Sequence, residues 1–411
     1  MTERYGTRER IWQRYRGLPP TVFALSFVSF LNDTSSEIIY PLLPAFLALT
    51  LGASPFAIGL IEGFAESVAS ILKLFSGYLS DKFGNRKFPV FFGYALAAVV
   101  RPLLAFVTSW PQVLVVRMTD RIGKGIRGAP RDALLASSTA SDKRGLAFGF
   151  NRAADHLGAV VGPVVAFLLL TYIAVQPSTP TAREYQQVFL FASIPVAVGL
   201  FVIVFFVREE KKPVRVSGDE PPLKFSFNAI DSNFKRFLFV IALFTLSNST
   251  DAFLLLRAEQ AGVAPAMLPL LWMVLHFSKV FSSVAAGDLS DRMGRRSMIM
   301  TGWLVYAGVY AGFALVNAEW QAWVLFIAYG FYFGLTEGVE KALVADLVAD
   351  DKRGTAFGFY NLAYGITVFP ASLIFGFVWT QFGAPSAFLM SALISVVAAG
   401  FLMTVRTVRE A

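Results

Sequence analysis

The sequence predicts an all-α membrane protein, with twelve transmembrane helices arranged as two pseudo-symmetric six-helix bundles. Three observations predict it. Of 411 residues, 55% are hydrophobic and only 16% are charged, whereas a soluble domain carries about 25% charged residues. Apolar runs long enough to cross roughly 30 Å of hydrocarbon recur along the whole length. Two polar segments also return at nearly one spacing: GYLSDKFGNRK (Gly77 to Lys87) as GDLSDRMGRR (Gly287 to Arg296), and DKRGLAFGF as DKRGTAFGF. The offset is 210 between Asp81 and Asp291, and 209 between Arg144 and Arg353. Duplication of a six-helix unit accounts for both.

In chain order, residues 1–20 form a tail too polar for a signal peptide, so the first apolar run is expected to stay as a helix. The N-terminal bundle, 21–207, holds spans at 21–49, 55–79, 88–108, 111–137, 145–173 and 186–207. The first carries the polar patch from Asn32 to Glu37, the second Glu62, Glu66 and Lys73, the third Arg101, and the fifth Arg152, Asp155 and His156. The segment 208–235 is the one hydrophilic stretch of any length. Rich in Pro and charge, it reads as a linker with a short interfacial helix around Phe225 to Phe234. The C-terminal bundle, 236–406, holds spans at 236–258, 265–289, 297–316, 320–346, 354–380 and 384–406, followed by a tail, 407–411. Asp251 falls in the seventh span, Lys279 in the eighth, and Glu337, Glu340 and Lys341 in the tenth.

The net charge of +8 could suggest a nucleic-acid partner, but its placement argues otherwise. Arg and Lys concentrate in the tails and in alternate loops (Lys82, Arg86, Lys87, Lys143, Arg144, Arg292, Arg295, Arg296) and in the linker, while the opposite loops hold almost none. By the positive-inside rule both termini are cytoplasmic, in a multi-pass protein of the inner (plasma) membrane. Most of the excess charge is therefore topological, and no nucleic-acid partner is expected. No cysteine is present, which removes disulfides and thiolate metal sites. No phosphate-binding glycine loop, zinc motif or nucleophile triad stands out, so neither an enzyme nor a cofactor or metal site is expected.

The fourth span is the most informative. Arg117, Asp120, Arg121, Lys124, Arg127, Arg131 and Asp132 fall within an arc of roughly 140° on a helical wheel. Ionised groups at bilayer depth cost several kcal/mol each unless they meet water or partners. A one-sided cationic stripe thus suggests a helix lining a polar cavity. The competing reading is that intramembrane basics and acids simply cross-link a packed bundle.

The loop Gly77-x-Leu79-Ser80-Asp81-Lys82-x-Gly84-x-Arg86-Lys87 resembles the signature loop of the major facilitator superfamily. Its second copy stands at Gly287, Asp291, Arg292, Gly294, Arg295 and Arg296, and the resemblance covers the whole chain. Asn85 departs from the family's paired basic residues. Gly158-x-x-x-Gly162-Pro163 resembles the antiporter motif of exporters in the superfamily, with Val164 to Phe167 in place of the usual glycine pair.

The resemblance implies a secondary active transporter working by alternating access in a lipid bilayer. Its partners would be a small-molecule substrate and protons or another ion, and the chain is expected to be a monomer. The substrate is read as a small organic molecule with an anionic or zwitterionic group, exported in exchange for protons. Substrate-binding candidates are Arg117, Arg121, Lys124 and Arg127. Proton-coupling candidates are Asp33 and Glu37 in the first helix, by analogy with related exporters, then Glu62 and Glu66. Gly77, Asp81, Arg86, Gly287, Asp291, Arg295 and Arg296 read as a latch on the cytoplasmic side, with Asp81 and Asp291 facing helix N-termini of the other half. Two alternatives remain: proton-coupled symport uptake of an organic anion, and a non-transporting sensor or scaffold that keeps the fold. His156 and His276 have no metal-ligand spacing and read as packing residues.

Overall fold

The computed structural model describes residues 17–83, 85–140, 143–209, 231–348 and 353–406, and their side chains except at 74, 77–83, 284–292 and 353–355. Every regular element among the described residues is helical. α1 runs over Pro20–Ile39, loses its ladder at Tyr40–Leu42 around Pro41, and resumes as Leu43–Ala45 and a π-turn, Phe46–Thr50. α2 is Pro55–Phe83. α3 is Lys87–Val100, tightening into a 3₁₀ turn, Arg101–Phe106, where Pro102 removes a donor. α4 is Trp110–Ser137, α5 Arg144–Ile173 and α6 Ala182–Phe206. α7 is broken into Ser232–Ser247 and Ala252–Gln260. α8 is Leu268–Met293, α9 Arg295–Leu315, α10 Glu319–Asp346, α11 Arg353–Phe382 and α12 Ala384–Leu402.

Ten of these twelve are long and apolar enough to cross a membrane by themselves. The two outside that set are α1, with its polar patch, and α4, with its charged stripe. The twelve-helix expectation therefore holds, with small corrections at the ends. α6 begins at Ala182 rather than 186 because Thr181 and Glu184 form a reciprocal capping box, a Thr-x-x-Glu signal readable in the sequence. The seventh span was expected to be continuous. Its break falls on Asn248-Ser249-Thr250-Asp251, four residues whose side chains compete for backbone hydrogen bonds. The linker residues 210–230, with most of the interfacial helix expected there, lie outside the described residues.

Packing repeats between the halves. α1 lies on α5, α2 on α4, and α3 on α4 and α6; equivalently α7 lies on α11, α8 on α10, and α9 on α10 and α12. The halves meet through α2 against α11 and α5 against α8, pairs related by the same six-helix shift. Large apolar side chains such as Phe75, Phe106, Phe205 and Phe281 point outward, as expected where lipid rather than water is the solvent. The interior of the C-terminal half is aromatic, with Trp303, Tyr306, Tyr310, Tyr329 and Phe313 all fully buried.

The α2–α11 seam is built on small residues. A methyl group added at Gly63 would lie 2.6 Å from Ser372 Cβ, and one at Gly376 2.6 Å from the Pro55 carbonyl. Ser67 Oγ donates to the Gly365 carbonyl at 2.6 Å, and the Phe56 N–H to Thr380 Oγ1 at 3.1 Å. Close backbone approach dominates at these positions, as is common between membrane helices, with Phe64 and Phe369 meeting edge to face beside them at 5.3 Å.

Candidate functional site

The charged stripe of α4 divides into a sealed edge and an open one. On the sealed edge, Asp120 accepts a hydrogen bond from the Arg101 Nε–H at 3.0 Å. The same guanidinium donates to the carbonyl and the side-chain oxygen of Asn32, at 3.0 and 3.1 Å. Arg127 donates to the Gly93 carbonyl at 3.1 Å and to Asn32 Oδ1 at 3.2 Å, and its guanidinium lies 4.5 Å from the Tyr94 ring centre. Arg117 grips Glu62 of α2 with two parallel bonds of 2.8 and 2.6 Å. Arg101, Arg117, Asp120, Arg127 and Glu62 are all buried. Such bidentate, desolvated pairs fix helix register, and losing one partner strands the other charge.

On the open edge the contacts loosen. Arg121 approaches Glu66 only to 3.7 Å, and its Nε has no hydrogen-bond partner. Lys124, near the middle of α4, is exposed, and among the described residues no carboxylate lies within ion-pair distance of its ammonium group. The charges facing it are Arg121, Glu66, Asp33 and Arg127. An ammonium group in hydrocarbon costs several kcal/mol unless it meets water or a partner, so the exposed face beside Lys124, between the halves, is read as a polar cleft.

α1 and α5 position the carboxylates opposite. A methyl group at Gly158 would meet the Phe30 carbonyl at 2.7 Å and Asp33 Cβ at 3.0 Å, and one at Gly162 would meet Glu37 Cβ at 2.6 Å. The two glycines therefore seat the helical turn that carries Asp33 and Glu37. Among the described residues Asp33 accepts only from the neighbouring Asn32 side chain, at 3.0 Å. Glu37 accepts the indole N–H of Trp272, from α8 of the other half, at 2.7 Å. Trp272 also packs on Tyr40, with ring centres 5.0 Å apart, and on the edge of His276.

The cleft is shut at one end and open at the other. Away from the termini, Leu42, Leu43, Ala45, Phe46 and Leu47 of the α1 extension and Ala252 to Leu256 of α7 are almost fully buried against each other and against α2. Toward the termini, Lys73, Lys124, Arg152, His156, Glu337 and Lys341 are exposed. The C-terminal wall holds its own charges in place. Lys279 pairs with Glu337 at 2.7 Å, Tyr329 donates to Asp251 at 2.7 Å, and Glu340 accepts from Trp303 and Tyr360 at 3.0 and 2.8 Å.

The structure thus brings Arg121, Lys124, Asp33, Glu37 and Glu66 to one cleft, while Arg117, Arg127 and Glu62 are closed into protein contacts beside it. Arg131 bonds Asp132 at 3.0 Å and Ser29 at 2.9 Å. Of the expected latch, the side chains of Gly77, Asp81, Gly287 and Asp291 lie outside the described residues. Arg86 reaches the Ala133 carbonyl of α4, Arg295 pairs with Asp346 of α10 at 2.7 Å, and Arg296 reaches the Val405 carbonyl. These contacts stay within one half. Glu209, which sequence reasoning missed, accepts the backbone N–H groups of Arg86 and Lys87 at 2.9 and 2.8 Å, at the N-terminus of α3. The polar break at 248–251 was also missed as a site element, as were the particular contacts that Asn32 and Trp272 make. Asn32 and the 248–251 run are polar residues inside otherwise apolar spans, the one signal that could have flagged them.

Comparison with known proteins places the geometry in context. The family description of the Major Facilitator Superfamily matches residues 25–369 and 258–411. An uncharacterised transporter of that type from Methanocaldococcus jannaschii is 33% identical over 94% of this chain and 95% of its own. A probable 4-methylmuconolactone transporter from Cupriavidus pinatubonensis is 25% identical over 87% of this chain and 81% of its own. Among solved structures, a nucleoside transporter superposes with a TM-score of 0.80 at 14% identity, covering 94% of this chain and 99% of that one.

Proposed function

The chain belongs to the major facilitator superfamily, and from that premise we propose that it is a proton-coupled exporter of a small organic molecule carrying an anionic or zwitterionic group. Secondary transport follows from the family. Substrate charge, coupling ion and direction are the proposed part. The observation that carries the reading is Lys124, exposed and unpaired at mid-membrane depth, facing Asp33 and Glu66 across the cleft. A cation held without a partner can take a carboxylate or phosphate from a substrate, and Arg121, loosely held at 3.7 Å by Glu66, can add a second contact. Arg117 and Arg127 then support the site by fixing α4 against α2, α1 and α3.

Asp33 and Glu37 are the proposed coupling carboxylates. Among the described residues neither has a cation within ion-pair distance, so either can exchange a proton with water entering from the open end. Glu62, bound twice by Arg117, and Glu66 serve as charge balance. With both termini in the cytoplasm of an inner-membrane monomer, the cleft opens inward. The signature loops close that side in the alternate state, through Asp81, Asp291 and the arginines beside them. The resemblance of Gly158, Gly162 and Pro163 to the antiporter motif supports exchange rather than co-transport, and the two glycines seat the Asp33–Glu37 turn.

The test uses purified protein screened by thermal shift against organic acids, then proteoliposomes loaded with the best stabiliser. Export predicts proton movement opposite to substrate, whereas co-directional flux identifies uptake. Lys124→Gln is expected to weaken binding of the anion without preventing insertion. Unchanged affinity in detergent would remove Lys124 from the substrate site.

A further inference from the structure

The break in α7 has chemistry that the proposed export cycle does not use. Asp251 sits where the helix restarts, yet its side chain does not cap it. One carboxylate oxygen takes the Tyr329 hydroxyl at 2.7 Å, and among the described residues neither a hydrogen bond nor an ion pair reaches the other. The charged groups facing it are Lys279 and Glu66, and Lys279 is already held by Glu337 at 2.7 Å. Asp251 therefore has no counter-ion within 4.0 Å among the described residues.

Around it lie oxygens with unused capacity. Ser249 Oγ and Tyr310 Oη are buried, at 3% and 1% residue exposure, without a partner at hydrogen-bonding geometry. The Tyr310 hydroxyl neighbours Ser249, Tyr306 and Tyr329. The Ser247 carbonyl, at the end of the first half of α7, is already engaged, by the Tyr306 hydroxyl at 2.6 Å and the Ser249 N–H at 3.2 Å. The broken helix also turns the negative end of its dipole toward this place.

The geometry points to a monovalent alkali-cation site at the α7 break, with the Asp251 carboxylate as charge partner and Ser249 Oγ and Tyr310 Oη as neutral ligands. The donor set is all hard oxygen, which selects alkali or alkaline-earth ions over transition metals. Only one carboxylate is present, and no imidazole or thiolate joins it; among the described residues no group of three His, Cys, Asp or Glu could hold a metal. One negative charge balances one positive charge and leaves a divalent ion under-compensated. Unwound segments and half-helix C-terminal ends are where membrane helices expose carbonyl oxygens to small cations. The site sits beside the sealed end of the cleft and binds the half of the protein that lacks the open cationic edge.

The test is the unfolding midpoint of the full chain in detergent at fixed pH. Sodium, lithium or potassium chloride replaces choline chloride at constant ionic strength. A site present only in the folded protein raises the midpoint with the logarithm of cation concentration once it saturates. The rise is expected in the wild type and in Asp33→Asn, to vanish in Asp251→Asn, and to shrink at least severalfold in apparent affinity in Ser249→Ala. Retention in Asp33→Asn separates this site from the proposed proton path. Should Asp251→Asn not fold, Ser249→Ala together with saturable binding of radioactive sodium by the wild type decides the matter. Equal midpoints in alkali and choline salts would show that a buried water satisfies the hydroxyls, and would overturn the proposal. So would a cation effect that survives in both variants, or a response to pH alone.

Discussion

The hydrogen bond from Trp272 to Glu37 joins the two halves near the sealed end of the cleft, and removing it should let that end open more often. A hydrogen bond to a charged acceptor contributes about 1.5–3 kcal/mol. Trp272→Phe keeps an aromatic ring against Tyr40 and His276 but removes the N–H, so opening should become about tenfold or more frequent, since about 1.4 kcal/mol is a factor of ten. The chain has no cysteine, so a single Ala252→Cys reports cleanly. Ala252 is fully buried at the sealed end, and a membrane-impermeant maleimide can react only when that end opens. Labelling of Trp272→Phe/Ala252→Cys should outpace Ala252→Cys alone by about that factor. The sign of the pH effect follows. A neutral carboxylic acid accepts a weaker bond, about 0.5–1.5 kcal/mol, so labelling should rise as pH falls and Glu37 takes a proton. Glu37→Gln should abolish that pH response. Equal labelling rates with and without the indole N–H, in protein that still transports, would refute the idea that this bond holds the outer end shut.

Other perturbations separate support from function. Glu62→Gln leaves Arg117 buried without its partner and should destabilise the fold by about 3–5 kcal/mol, read as a drop in unfolding midpoint. The double variant Glu62→Gln/Arg117→Met should recover part of the loss, and no recovery would argue against the pair as the cause. Asp33→Asn should leave substrate binding intact but remove its coupling to a pH gradient; a variant that still expels substrate uphill would exclude Asp33 from that role. Gly162→Val places a side chain where a methyl already lies 2.6 Å from Glu37 Cβ. It should displace the α1 turn and abolish pH-dependent transport more completely than binding, whereas wild-type coupling would show that α1 needs no such seat.

The twelve helices were legible because hydrocarbon demands long apolar runs, and the duplicated loops marked the division into halves. The α4 stripe was legible as a polar face but not as two edges. Arg117 and Lys124 differ little on a helical wheel, yet one meets Glu62 and the other meets none. The two lie about 10 Å apart along α4 and so meet different turns of α2, a pairing that periodicity does not encode. Glu37 read as a coupling candidate from its place in a polar patch, while its partner Trp272 was hidden among other aromatics because it lies 235 residues away. The α7 break was written in Asn248-Ser249-Thr250-Asp251, but the apolar residues on either side hid it within one span.

Along α2 and α11 the main chains come close at Gly63 and Gly376, and among the described side chains one ring pair, Phe64 edge-on to Phe369 with centres 5.3 Å apart, interlocks across the contact. Surfaces built this way can roll over one another with few interlocked side chains to withdraw. Whatever sets the speed of turnover must then reside at the rims, where rings and charges have to part, and not along this central bearing.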